Sequence, residues 1–269
     1  LNTQSHTAFR GFGGPQGMFA IESVIDDIAR QLQLDPLAVR HANFYDAPPR
    51  NTTPYGMTVE DNVIAPLVSQ LALDADYASR RAAIAAFNAA SPVIKRGIAL
   101  TPVKFGISFT ATVFNQAGAL VHVYKDGTVQ VSHGGTEMGQ GLHTKIRQIV
   151  AGEFGLPVAD VRLSATDTRC VPNTSATAAS SSTDLNGKAA QAACRRLAAF
   201  VAGRLGIDAG QVGFADGQVR APGFNSPFAQ VVADAYRARV QLWDAGFYAT
   251  PKIHFDPSPK HGDPIQLTK

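Results

Sequence analysis

Residues 119–132 read Ala-Leu-Val-His-Val-Tyr-Lys-Asp-Gly-Thr-Val-Gln-Val-Ser, and they decide the fold class. Residues 119–124 and 128–132 are two valine-rich β-runs. Asp126-Gly127 joins them, a dipeptide that accepts the positive backbone angles of a tight antiparallel turn. Working outward, helical patterning over residues 144–154 is followed by a strand near 161–165 and a long helix over 184–205. Ser226-Pro227 opens another helix reaching Arg237, and residues 240–248 read as a final strand. Helices alternating with an antiparallel hairpin make the chain α+β.

Toward the N-terminus the pattern is helical. Ile21, Val24, Ile28 and Leu32 recur at helical spacing with Ile25 over a polar face, which predicts an amphipathic helix. Asp35-Pro36 reads as an N-cap with proline at the first helical position of a short helix ending near Phe44. Thr58 and Asp61 resemble a capping pair for a third helix carrying Val63, Ile64, Leu67 and Leu71. An alanine-rich fourth helix is expected over residues 76–89. The pattern changes at Ser91-Pro92, dividing the chain into a mainly helical part (1–90) and an α+β part (91–269).

The chain has 269 residues, 45% hydrophobic and 17% charged, enough to bury a sizeable core. Its 24 basic and 21 acidic residues are interspersed, so the net charge of +3 forms no cluster suited to nucleic acid. No apolar run approaches the roughly 20 residues of a membrane-spanning helix. Cys170 and Cys194 are the only cysteines. They are too few for a protein-held iron–sulfur cluster, which takes about four thiolates, and are expected as reduced core thiols of a cytoplasmic protein. Trp243 is likewise expected in the core. Leu1 reads as an internal position of a longer polypeptide.

Four loops place small or polar residues where regular structure would have bulk. The first, Phe9-Arg10-Gly11-Phe12-Gly13-Gly14-Pro15-Gln16, sets two aromatics and a cation on a nearly bare backbone, a poor recipe for a helix or a strand. The second contains Phe105-Gly106-Ile107-Ser108-Phe109-Thr110. In the third, Gly134 to Gly141, Gly139-Gln140-Gly141 stands just ahead of a helix, a place where unpaired amides can meet an anion. The fourth, Asn173 to Thr183, offers hydroxyls and amides without charge, and reads equally as a linker or as a neutral cradle for a phosphate-bearing ligand.

These loops, together with Pro172 and Asp184-Leu185-Asn186-Gly187, resemble in order and spacing the molybdenum-binding part of the xanthine dehydrogenase and aldehyde oxidase family. The resemblance runs through almost the whole chain. It implies a molybdenum cofactor held by the dithiolene of a pterin, with no protein side chain on the metal. It also implies oxidation of hypoxanthine or xanthine to urate, electrons passing through iron–sulfur and FAD regions elsewhere to NAD, in a dimer of the full enzyme. Phe12 and Phe109 would sandwich the purine, Thr110 would add a hydroxyl toward it, and Ala178 and Ala179 would be small residues against metal and substrate. Phe9 and Arg10 would lie beside the cofactor, with Arg10 also stabilising developing charge. Gly139 and Gln140 would reach the pterin, and Ala179, Ser180, Ser182 and Thr183 would line pterin and phosphate.

Other residues read blandly. Glu137 is a structural carboxylate bonded to nearby amides rather than a base. His133 and His143 lack a third ligand for zinc, and Lys104 sits on the surface. The family's Gly-Glu-Pro-Pro element, which carries its catalytic glutamate, does not occur around Glu22, Glu60, Glu137 or Glu153. After His261-Gly262-Asp263-Pro264 the tail departs from the family's aromatic strand. Two alternatives follow: an aldehyde oxidase type of hydroxylase, or a fragment that is inactive or a non-catalytic assembly module.

Overall fold

A computed structural model describes residues 9–253; Ala8 and the divergent tail from His261 onward lie outside them. The described residues divide into two compact units, one within residues 9–106 and one spanning Ile107–Ile253.

The first unit holds helices α1 (Gly14–Leu32), α2 (Pro36–Ala42), α3 (Ile64–Asp74) and α4 (Tyr77–Ala90). The expected Asp35 cap is present: its Oδ1 accepts the Leu37 amide at 2.8 Å and the Tyr77 hydroxyl at 3.0 Å. Leu37, Val68, Tyr77 and Leu100 form the buried cluster. The expected cap of α3 fails, because Thr58 pairs with Thr52 in a β-bridge and Val63 is the N-cap.

Helix α1 forms as its periodicity predicts, yet it packs by its charged side. Buried Arg40 of α2 receives Glu22 and Asp26 of α1, with Nε to Glu22 Oε2 at 2.6 Å and Nη2 to Asp26 Oδ1 at 2.9 Å. The stripe Ile21, Val24, Ile28 and Leu32 is exposed. The helix also begins earlier than expected, at Gly14, so the last three residues of the glycine-rich loop belong to its first turn, where Pro15 lacks no partner that a helix would supply.

The second unit is built on a sheet of order β3-β2-β1-β7, with β1 Gln116–Val123, β2 Val129–His133, β3 Val161–Leu163 and β7 Trp243–Ala249. The hairpin is as read from the sequence, pairing Ala119 with His133 and Val123 with Val129. β7 pairs antiparallel with β1, and β3 parallel with β2. Helices α5 (Leu142–Phe154) and α6 (Ser182–Leu205) contribute Ile146, Val150, Phe154, Ala189, Ala193, Cys194 and Leu197 to the same core as Val121, Val129 and Val131. Small residues let α6 lie close on β7: a methyl at Gly246 would stand 1.8 Å from the Ala189 carbonyl oxygen. A second small sheet, β4 (Gly213–Ala215), β5 (Gln218–Ala221) and β6 (Phe224–Pro227), precedes α7 (Phe228–Arg237). Ser226 and Pro227, read as a helix start, end β6 and lead straight into α7, whose N-cap is Pro227 and whose end at Arg237 is as expected.

Two core expectations need correction. Cys194 is buried, but Cys170 is exposed on a turn beside the Asp167–Arg169 ion pair. Trp243 is half exposed because it leads an edge strand, where it stacks on His122. Among the described residues no helix is long and apolar enough to cross a membrane.

Candidate functional site

In the first unit Gly11, Phe12 and Gly13 take successive left-handed conformations (φ 83°, 50° and 91°), so the chain turns tightly before α1. The Phe12 amide donates to the Phe9 carbonyl at 2.7 Å, and Gly14 to Gly11 at 3.0 Å. A bulky residue held at positive φ is uncommon. Phe12 is 80% exposed there and Phe9 77%. Arg10 is exposed on the same turn.

In the second unit three of the nominated loops gather at one end of the sheet. β1 begins and β2 ends there because the strands are antiparallel, so residues 107–115 and 134–141 leave from the same edge. Residues 172–181 join them on the way into α6. The Ser108 amide donates to the Ala179 carbonyl at 3.0 Å, the Ser175 amide to Gln116 at 3.0 Å, and the Thr136 amide to Thr177 Oγ1 at 2.8 Å. Gly134 is required at this seam, since a methyl there would stand 2.0 Å from Thr174 Cγ2.

The Phe109 loop is folded around Asn115, which is buried. Phe109 is half-buried with its ring edge-on to Phe114 at 5.6 Å, and Thr110 is exposed. Ala179 and Ser180 both sit at positive φ (51° and 54°), making a kink that leaves Ala178 and Ser180 exposed.

The Gly134–Gly141 loop differs from its expected use. The Glu137 carboxylate accepts three amides ahead of and within α5: Gly139 and Gly141 on Oε1, both at 2.9 Å, and His143 on Oε2 at 3.0 Å. These bonds, His143 foremost, hold its carboxyl below the usual carboxylate range. The anion at this helix start is thus supplied by the chain, as the structural reading of Glu137 expected. Gln140 folds back similarly, accepting from Met138 N at 2.6 Å and donating to Thr136 O at 2.9 Å, with one amide hydrogen left over.

The start of α6 is built the other way. Its N-cap, Ser181, turns its hydroxyl back to the Ala178 carbonyl at 3.1 Å and makes no cap bond, and among the described residues no side chain accepts from the first helix amides. Ser182 is buried, its Oγ accepting from Asn186 Nδ2 at 3.1 Å and bonding Thr177 Oγ1 at 3.0 Å. Thr183 is half-buried in the first turn. The first-turn amides and the exposed Ser180 hydroxyl are donors suited to a phosphate oxygen, with Asp184 the carboxylate of the same turn.

Beneath the loops lies His133, 1% exposed, whose Nδ1 accepts the Gly135 amide at 3.1 Å. Its Nε2 is buried without a partner among the described residues. Burial first, and His143 at 5.4 Å between ring centroids second, push its pKa down to about 4. Among the described residues no three His, Cys, Asp or Glu stand together as a metal site. Lys104 is exposed, its ammonium 5.0 Å from the Tyr45 ring centroid. At the other end of the sheet an open cleft of about 840 Å³, lined by Asp126, Asp160, Asp216 and Phe228, contains none of the nominated residues.

Asn115, Thr177 and Asn186 were not nominated from the sequence as site residues. Their signal is weak: an amide or hydroxyl ahead of or within an element, meaningful only once its distant partner is known.

Two family models described as molybdopterin cofactor-binding domain match residues 1–44 and 70–268. The chain is 45% identical over 263 residues to a xanthine dehydrogenase of Blastobotrys adeninivorans, covering 95% of this chain and 17% of that protein. It is 43% identical over 254 residues to a xanthine dehydrogenase of Dictyostelium discoideum, covering 94% and 18%. Among solved structures, quinoline 2-oxidoreductase from Pseudomonas putida 86 superimposes with a TM-score of 0.70 at 24% identity, over 91% of this chain and 34% of that one. The chain thus spans less than a fifth of the length of these two curated relatives.

Proposed function

Since this chain belongs to the molybdopterin cofactor-binding domain family, we propose that it is part of a molybdenum hydroxylase that oxidises a purine such as xanthine or hypoxanthine. The observation that carries this reading is the Ser108–Ala179 hydrogen bond, which brings the Phe109–Thr110 loop against the Ala178–Ser180 kink at the open end of α6. That placement puts an aromatic face and neutral anion donors side by side. The arrangement fits a phosphate-bearing pterin.

When bound, the molybdenum cofactor supplies oxygen-atom transfer to a ring carbon and takes up the electrons. The chain's own residues would then bind and orient. Amides of the first turn of α6, with Ser180 and Thr183, would hold the phosphate-bearing end, and Ser182 would keep Thr177 and Asn186 in register. Gly139 and the spare amide hydrogen of Gln140 would meet the pterin. Phe109 would stack on the purine, and Thr110 would bond its edge. Ala178 and Ala179 would leave room for both. In the first unit, Phe12 would offer a second aromatic face and Phe9 and Arg10 would lie toward the cofactor, Arg10 stabilising negative charge as it develops.

The proton-accepting glutamate, the iron–sulfur and FAD regions and the NAD site would belong to other parts of a cytoplasmic, dimeric enzyme of purine catabolism. The test is steady-state oxidation by the full-length protein of xanthine against an aromatic aldehyde, with Phe109→Ala alongside. We expect preference for xanthine and a sharp loss in the variant. Preference for the aldehyde would give the protein to the aldehyde oxidase type, and unchanged turnover of xanthine by the variant would remove Phe109 from the site.

A further inference from the structure

We propose that Asn115 is a positioning residue of the substrate site: its carboxamide sets where the Phe109 ring and the Thr110 hydroxyl stand. The proposal rests on the reading that Phe109 and Thr110 face the substrate. Asn115 itself is 2% exposed and sits at the foot of β1.

The geometry is reciprocal. Asn115 Oδ1 accepts the Phe109 amide at 2.8 Å, and Nδ2 donates to the Phe109 carbonyl at 2.9 Å. One carboxamide therefore holds the peptide groups on both sides of a single residue, as a neighbouring strand would. Fixing both peptide planes fixes the Cα–Cβ direction and hence the base of the ring. Longer bonds from Nδ2 to Ala111 O at 3.2 Å and Thr112 O at 3.3 Å close the rest of the loop.

The clamp is in turn anchored to the sheet. The Asn115 carbonyl accepts the Thr250 amide at 3.0 Å, next to the β1–β7 ladder, while its own amide donates to Thr112 O at 3.0 Å. On the far side of Phe109, the Ser108 amide reaches Ala179. Phe109 is thus held from the sheet by Asn115 and from the α6 kink by Ser108, with Phe114 against its ring edge. Asparagine is the residue for this task. Aspartate of the same shape accepts but cannot donate, leucine does neither, and glutamine is one methylene too long.

The test uses the full-length enzyme and two substrates, xanthine and a small aliphatic aldehyde, which has no ring to stack. For Asn115→Asp we expect kcat/KM for xanthine to fall roughly tenfold or more, mainly through KM, because small misplacements of an orienting group are costly. For the aldehyde we expect a change of less than about twofold, since no orientation by Phe109 is needed. Equal losses on both substrates would mean a general structural defect and overturn the proposal, as would no loss on either. Asn115→Ser, which keeps one donor and one acceptor, carries the same expectation at smaller amplitude if the aspartate variant does not accumulate, and equal effects on the two substrates in it would also overturn the proposal. Phe109→Ala separates this claim from the reading beneath it. If that variant loses xanthine turnover and Asn115→Asp does not, only the positioning role falls; if Phe109→Ala is unaffected, the substrate reading falls and takes this proposal with it.

Discussion

Helices α5 and α6 both start at the loop-bearing end of the second unit, and both follow loops of small residues, yet their N-termini are finished in opposite ways. At α5 the Glu137 carboxylate takes the amides of Gly139, Gly141 and His143. At α6 Ser181 turns away, and among the described residues no side chain accepts from the first amides. A helix start carries partial positive charge and up to four N–H groups without helical partners. Where a carboxylate accepts the first amides, those amides are spent within the chain; at α6 the first-turn carboxylate, Asp184, makes no such bond among the described residues, and the amides are available to a ligand. A glycine-rich approach to a helix is therefore no guide by itself, because what decides is whether a carboxylate reaches the amides.

Three experiments would break or sharpen that contrast. The largest effect is expected beneath the sealed side. His133 has a folded pKa of about 4 against an ordinary 6.5, so between those values the unfolded chain binds more protons than the native one. Stability is then complete above about pH 6.5 and lost as pH falls through the window toward 4, by an amount on the order of 3 kcal/mol. Denaturant unfolding at stepped pH should show that loss in the parent chain and its absence in His133→Asn, which keeps an acceptor for Gly135. Parallel curves for the two proteins would mean that the sealed side does not depend on a neutral histidine.

Next comes the open side. Ser180→Asp places beside the α6 amides the kind of anion that Glu137 gives α5, at a left-handed position that aspartate tolerates. Molybdenum and pterin content of the purified full-length protein should drop at least about tenfold, the equivalent of roughly 1.4 kcal/mol. Full cofactor content would erase the functional difference between the two helix starts.

The smallest effect is expected from Glu137→Gln. A single amide oxygen can serve Gly139 and Gly141, but the nitrogen then faces the His143 N–H and that bond is lost. Because the Glu137 carboxyl lies below its ordinary 4.5, its stabilisation is present above that value and lost as pH falls below it. Hydrogen exchange of the His143 amide should quicken in the variant at neutral pH and converge with the parent in acid. An unchanged amide would show that Glu137 is not what closes this helix.

The elements that sequence reading found and missed differ in a physical way. The Asp126-Gly127 hairpin was plain because five- and eight-residue strands show their β-rich composition on either side of the turn. Asp216-Gly217 carries the same turn signal, with φ of 53° and 70°, but its strands are three and four residues long and display no pattern. The α1 stripe shows the converse failure. Its periodicity identified the helix correctly, but Arg40 drew in Glu22 and Asp26, and the apolar side was left outward. In the site, the Phe109, Gly139–Gln140 and Ala178–Thr183 segments were marked by their composition. Their arrangement was not, since Asn115 and Thr177 act on residues that local pattern does not connect.

By itself the sequence determined the helices, the main hairpin, the loops that break them and the family to which those loops belong, because each rests on residues close together along the chain. Tertiary structure alone decided which amides remain open, why Cys170 and Trp243 lie at the surface, and that the Phe109 loop meets the α6 kink. Those outcomes depend on hydrogen bonds such as Thr136 to Thr177, 41 residues apart, and Ser108 to Ala179. Such partners become neighbours only after the sheet and its two helices have packed.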